Sequence, residues 1–80
     1  MGTDWYGYRQ AMSDQTYAIT HVVGTSAAGL DQAIKNGIST AAKSLRNLDW
    51  FEVEEIRGHL DGGDVKHFQV TMKVGFRYDD

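Results

Sequence analysis

Residues 48–58, LDWFEVEEIRG, lie where the spacing of apolar residues changes along the chain. Before this stretch, apolar side chains recur every three or four residues, which is typical of one face of a helix. Within it they alternate with polar side chains, as on a β-strand, so Phe51 and Val53 share one face. Trp50 lies on the opposite face among acidic side chains. The stretch therefore predicts that a helix ends here and that a strand begins, with its largest ring turned away from its apolar side.

This alternation is interrupted once, at Ile56. A β-bulge near Glu54 and Glu55 would add one residue to the strand and restore the phase. It would turn Ile56 toward the apolar face and Arg57 toward the opposite one. The pattern therefore predicts Trp50 and Arg57 on the same face of the sheet.

One strand and one helix are predicted upstream of this segment. Residues 17–23 are rich in β-branched and aromatic side chains and end at Gly24, which predicts a short strand. Ser26 follows in the position of a helix cap, where its hydroxyl would accept a hydrogen bond from an early backbone N–H. Gly37 lies on the apolar side of the helix, and its missing side chain predicts a close approach to the sheet. The helix is predicted from an apolar stripe comprising Leu30, Ala33, Ile34, Gly37, Ile38, Ala41, Ala42, Leu45 and Leu48.

A hairpin is predicted downstream, because Asp61-Gly62-Gly63-Asp64 is a strong turn signal. The run after the turn alternates, and its apolar members are Phe68, Val70, Met72, Val74 and Phe76. The predicted fold class is α+β, with the element order β-α-β-β. The helix connects two strands that leave a gap between them, and the last strand fills this gap antiparallel to both. The result is a three-stranded antiparallel sheet of order 1-3-2 wrapped on one helix, which covers one sheet face and leaves the other bare.

Composition limits the class of protein. The chain has 80 residues, enough for one domain, and a chain this short buries only about 60% of its unfolded surface. It has no cysteine, which excludes disulfides and thiolate chemistry, so extra burial is expected from self-association. The net charge of −3 and the lack of a basic cluster argue against nucleic acid and anionic membrane as partners. No apolar run is long enough to span a bilayer, and a cytoplasmic location is predicted.

The chain divides into an extension, residues 1–11, and a domain, residues 12–80. The extension, MGTDWYGYRQA, is rich in glycine and aromatic residues and shows no sustained period. It is therefore predicted to be flexible and separate from the domain.

Trp50 and Gln69 are the first candidates for a binding site, since both are predicted on the bare face. The indole of Trp50 either plugs the junction between helix and strand or offers a stacking platform for a planar, electron-poor ring such as an isoalloxazine. Its outward phase favours the platform. The primary amide of Gln69 can pair with the imide-like edge of a heterocycle through two hydrogen bonds, or it is a solvated strand residue.

Arg57 is equally ambiguous, because it can bind a phosphate, stack on a ring or neutralise a neighbouring glutamate. His59 and His67 flank the hairpin turn and could face each other, but no third ligand has a recognisable spacing, so no metal site is predicted. The acidic residues lie along a strand with nothing to desolvate one of a pair, and no nucleophile constellation is visible. No catalytic residue is therefore assigned.

The segments VVGTS, LDWFEVEEIRG and HFQVTMKVGFR, in this order and with an amphipathic helix between the first two, resemble the dodecins over residues 12–78. The resemblance implies a hollow homododecamer in which two flavins are sandwiched between the tryptophans of symmetry-related subunits. It implies that Trp50 stacks on the isoalloxazine and that Gln69 hydrogen-bonds its pyrimidine edge. Arg57 and Arg77 follow the pattern of bacterial members, which tend to hold FMN. Riboflavin and FAD are alternatives, and coenzyme A is a weaker expectation, since some relatives bind it on their surface.

The function expected on these grounds is non-enzymatic flavin storage and sequestration, with the indole quenching the photochemistry of the bound flavin by electron transfer. Two alternatives are open. A small flavin-dependent reductase would use the same FMN, but it needs a path for a second substrate, which a sandwich of two flavins blocks. A structural shell protein would use the bare sheet face to bind protein alone and would take up no flavin.

Overall fold

The computed structural model describes residues 15–78, which form one sheet and one helix. In chain order the elements are β1 (Tyr17–Ser26), α1 (Leu30–Ser44), β2 (Leu48–Asp61) and β3 (Asp64–Arg77). This confirms the predicted order β-α-β-β. The predicted extension and its boundary at residue 12 lie outside the described residues. No helix within residues 15–78 is both long and apolar enough to cross a membrane.

β3 is the central strand of the sheet, and the strand order is β1-β3-β2. Both neighbours run antiparallel to it, which confirms the predicted topology. The connections explain the arrangement: α1 carries the chain from one edge strand to the other, and the tight turn at Gly62 and Gly63 folds β3 back into the gap. Gly62 has a φ of 64°, a left-handed conformation that glycine adopts at no steric cost.

Three register shifts interrupt the pairing of β2 with β3. They lie between Leu48 and Trp50, between Val53 and Glu55, and between His59 and Leu60. The second shift confirms the predicted bulge, and beyond it Arg57 pairs with Gln69. The first shift was not predicted, and it leaves Asp49 out of the ladder directly before Trp50.

α1 packs on β1 and β3 at very short range. A Cβ built on Gly24 of β1 would overlap the carbonyl oxygen of Ala33 and lie 3.0 Å from the backbone nitrogen of Gly37. Gly37 in turn is buried against Gly24 and Met72. The predicted close approach of helix and sheet at Gly37 is therefore confirmed. The fully buried core is formed by Ala33, Val70, Met72 and Val74.

The helix side of the sheet is covered less completely than the sequence predicted. α1 has 15 residues and extends over roughly 22 Å. β2 and β3 have 14 residues each and extend over roughly 47 Å. The hairpin therefore projects beyond the helix. Four large apolar side chains on its helix side are between 47% and 64% exposed, namely Phe51, Ile56, Leu60 and Val65.

The predicted capping role of Ser26 is wrong. Ser26 is the last residue of β1, and its Oγ accepts a hydrogen bond from the backbone N–H of Ala28 at 2.9 Å. The Ser26 hydroxyl is thus hydrogen-bonded within the loop between β1 and α1. The helix begins at Leu30, and no side chain among the described residues caps its first turn. The helix also ends at Ser44, so the last two members of the predicted stripe, Leu45 and Leu48, lie outside it.

Candidate functional site

The sheet face opposite α1, here called the outer face, carries all four predicted site residues. Trp50 pairs with Gly75 and Arg57 pairs with Gln69, while Arg77 lies two residues beyond Gly75 on the same strand. Alternate residues of a strand share a face, so the β3 members all point away from the core. The prediction that strand phase would bring these residues to one face is confirmed.

The indole of Trp50 lies directly on Gly75. A Cβ built on Gly75 would overlap the Cε2 and Cζ2 atoms of the indole and lie 2.5 Å from its Nε1. Gly75 is buried, whereas Trp50 is half-buried. The indole is thus supported by the backbone of the central strand and lies outside the buried core under the helix. This placement fits the platform interpretation of Trp50 better than the plug interpretation.

A hydrogen bond next to Trp50 was not predicted. The hydroxyl of Tyr17 donates to Oδ2 of Asp49 at 2.8 Å, which joins β1 to β2 across the end of β3. Because Asp49 directly precedes Trp50, this bond restrains the backbone from which the indole projects. The two residues are 32 positions apart in the chain, and no local pattern links them.

Arg57 and Gln69 form the second group on the outer face. Nη2 of Arg57 lies 3.0 Å from Oε2 of Glu55, and the two side chains are 60% and 53% exposed. An ion pair this exposed contributes about 0–1 kcal/mol, so the guanidinium can leave it for a stronger anion. Gln69 is half-buried, and no hydrogen bond of its amide is seen within residues 15–78. Both side chains therefore have hydrogen-bonding capacity for a ligand.

Polar pairs occupy the outer face between these two groups. Nζ of Lys73 lies 3.7 Å from Oε1 of Glu52, and Nε2 of His21 lies 3.5 Å from Oε1 of Glu54. Glu52 and Glu54 thus contact side chains other than Arg57, whose contact is with Glu55.

Trp50 and Gln69 of one chain are far apart. Trp50 lies beside Gly75 of the central strand, and Gln69 belongs to that strand. Gly75 and Gln69 are six residues apart. At about 3.3 Å per residue this corresponds to roughly 20 Å, which exceeds the length of a tricyclic ring system. One chain therefore cannot place its indole and its amide on the same tricyclic ligand. A site that uses both residues requires at least two copies of the chain.

His59 and His67 do face each other across the hairpin, as the sequence suggested. They are register partners, and their ring centres are 6.3 Å apart. Within the described part of the chain, no group of three or more histidine, cysteine or acidic residues is arranged around a possible metal ion.

Comparisons with known proteins agree on one family. The Dodecin family model matches residues 16–79. A curated dodecin from Thermus thermophilus is 47% identical over 66 residues, which cover 82% of this chain and 96% of the relative. The solved dodecin from Streptomyces davaonensis is 60% identical with a TM-score of 0.81, covering 85% of this chain and all of that one. The structure from Streptomyces coelicolor is 51% identical with a TM-score of 0.81, over 86% and 99% of the two chains.

Proposed function

The chain belongs to the dodecin family, and from this premise we propose that it is a non-enzymatic protein that binds, stores and sequesters FMN. The observation that carries the proposal is the indole of Trp50, which is held on Gly75 on the face opposite the helix. A flat aromatic ring on a rigid backbone support is suited to stack on the isoalloxazine of a flavin.

The proposed binding unit is an assembly, a homododecamer. Because Trp50 and Gln69 are roughly 20 Å apart in one chain, the stacking ring and the hydrogen-bonding amide would come from different copies. The exposed apolar side chains on the helix side of the hairpin are suited to contacts between copies. A groove of about 540 Å³ adds to this surface and is lined by Asp31, Ile34, Lys35, Ile38, Ser39 and Phe51.

Arg57 and Arg77 are the proposed contacts for the phosphate of FMN. Solved variants of the Thermus thermophilus dodecin replace one tryptophan and two arginines. Their positions follow one another at intervals of seven and twenty residues, as do Trp50, Arg57 and Arg77 in this chain. The equal spacing supports treating these three residues as one functional set. Riboflavin and FAD are alternative ligands, and coenzyme A binding and a cytoplasmic location remain predictions.

Stacking on Trp50 would also protect the bound flavin from light. An indole in contact with excited FMN can donate an electron to it, and return of that electron restores both ground states. The flavin would then lose its fluorescence and its photochemistry while bound. This step needs no second substrate, which is consistent with a storage role.

Titration of FMN with the purified protein tests the proposal. Flavin fluorescence should fall to a plateau, and the flavin should co-elute with a species of about twelve chains. Trp50→Phe is the matched variant, because phenylalanine keeps an aromatic ring over Gly75 but is a poorer electron donor. It should bind FMN and quench it less. Undiminished emission at saturating protein would rule out stacking on Trp50.

The same preparation separates the two alternatives. Oxidation of NAD(P)H by the flavin-loaded protein would favour a reductase. A colourless assembly that takes up no flavin would favour a structural shell protein.

A further inference from the structure

His59 and His67 form a facing pair near the hairpin turn. They are register partners in the β2–β3 ladder, and their ring planes are inclined by 53° with centres 6.3 Å apart. Side chains directly opposite in an antiparallel ladder start from Cβ atoms about 4.5–5.5 Å apart. Both residues are exposed, so the space between the two rings is open to solvent ions.

We propose that this pair binds a late divalent transition-metal ion, such as Cu²⁺, Ni²⁺ or Zn²⁺, through one nitrogen of each ring. Imidazole is a favoured ligand of these ions, and the metal–nitrogen distance is about 2.0–2.1 Å. Two imidazoles at adjacent coordination positions of one ion have their ring centres closer together than these are, and rotation about the side-chain torsions supplies this change. The other coordination positions are filled by water or by an added ligand.

The charges around the pair favour a bound cation. Asp61 and Asp64 follow the two histidines toward the turn. The basic residues that precede the two histidines in the chain contact carboxylates: Nζ of Lys66 lies 3.9 Å from Oδ2 of Asp61, and Nη2 of Arg57 lies 3.0 Å from Oε2 of Glu55. Since residues 15–78 provide no three-residue metal cluster, each chain offers two ligands, and the site binds with moderate affinity.

The test uses the full chain without an affinity tag, in chelator-treated buffer. Cu²⁺, Ni²⁺, Zn²⁺ and Mg²⁺ are titrated against a metal-sensitive dye. One late metal ion should bind per chain, with Cu²⁺ tightest, whereas Mg²⁺ prefers oxygen ligands and should not compete. His59→Asn and His67→Asn should each weaken binding by about ten-fold or more, since loss of even an outer-shell partner costs about 10–100-fold.

His21→Asn is the matched control, because His21 is an exposed histidine on the same face without a histidine opposite it. It should leave the affinity unchanged. Electron paramagnetic resonance of the Cu²⁺ form should show two nitrogen donors in the parent and one in each single variant. The parent spectrum decides the matter even if a variant fails to assemble. The proposal is overturned by no binding, by one nitrogen donor in the parent, or by equal losses in all three variants.

Discussion

Gly75→Ala tests whether the backbone beneath Trp50 determines where the indole lies. The added methyl carbon would overlap two ring atoms and lie 2.5 Å from Nε1. The indole is rigid, and Gly75 is in the central strand with Ile19 as its partner on the other side. The backbone cannot shift without disturbing both ladders. The methyl group is therefore expected to push the indole away from the sheet.

Displacement of the indole should change both the free energy of folding and the free energy of FMN binding. Overpacking a tight contact costs about 1–3 kcal/mol of folding stability, so the midpoint of thermal unfolding should fall. An aromatic pair in good geometry contributes about 0.5–1.5 kcal/mol. A displaced indole should therefore weaken FMN binding about two- to twelve-fold, because 1.4 kcal/mol corresponds to about ten-fold in the dissociation constant.

The assay is a flavin fluorescence titration, with thermal unfolding followed by circular dichroism. Gly63→Ala is the matched control, since a Cβ there meets no atom within 4 Å. It should bind FMN as the parent does. Parent-like stability and FMN affinity in Gly75→Ala would refute the inference that the glycine positions the ring.

Three further variants separate the other contacts. Gln69→Leu keeps the size of the side chain but removes two hydrogen bonds worth about 0.5–1.5 kcal/mol each, so FMN and riboflavin should both bind about five-fold more weakly or worse. Equal affinities in a titration would exclude Gln69 from the site. Arg57→Ala should weaken FMN about ten-fold or more and leave riboflavin unchanged, because only FMN carries the phosphate. An equal loss for both ligands would point instead to ring stacking by Arg57. Tyr17→Phe removes the hydrogen bond to Asp49 and should lower the free energy of unfolding by about 1 kcal/mol, which urea denaturation measures. An unchanged denaturation curve would mean that this bond does not restrain β2.

The secondary structure and its order were predictable because they depend on residues close together in the chain. The three- and four-residue spacing around Gly37 identified α1, and the change to alternation identified β2. The phase break at Ile56 identified the bulge. The same phase placed Trp50 and Arg57 on one face, since side chains alternate along a strand whatever strand lies beside it.

The end of α1, the loop at Ser26 and the uncovered helix side of the hairpin were not predictable in the same way. Serine is a favoured helix-cap residue, but the Ser26 hydroxyl accepts a hydrogen bond from Ala28 in the loop before the helix. Leu60 and Val65 are exposed because the hairpin strands are longer than the helix. This difference in length depends on where each element ends, which the structure shows. Local patterns place such boundaries poorly because they are decided by packing.

Sequence alone thus determined the family resemblance, the strand order and the face on which Trp50 lies. Only the tertiary structure showed that Trp50 rests on Gly75, that Tyr17 bonds to Asp49, and that the indole and the Gln69 amide are roughly 20 Å apart. The physical reason is register. Each shift in the β2–β3 ladder changes every later cross-strand partner, and the sequence signalled only one of the three shifts.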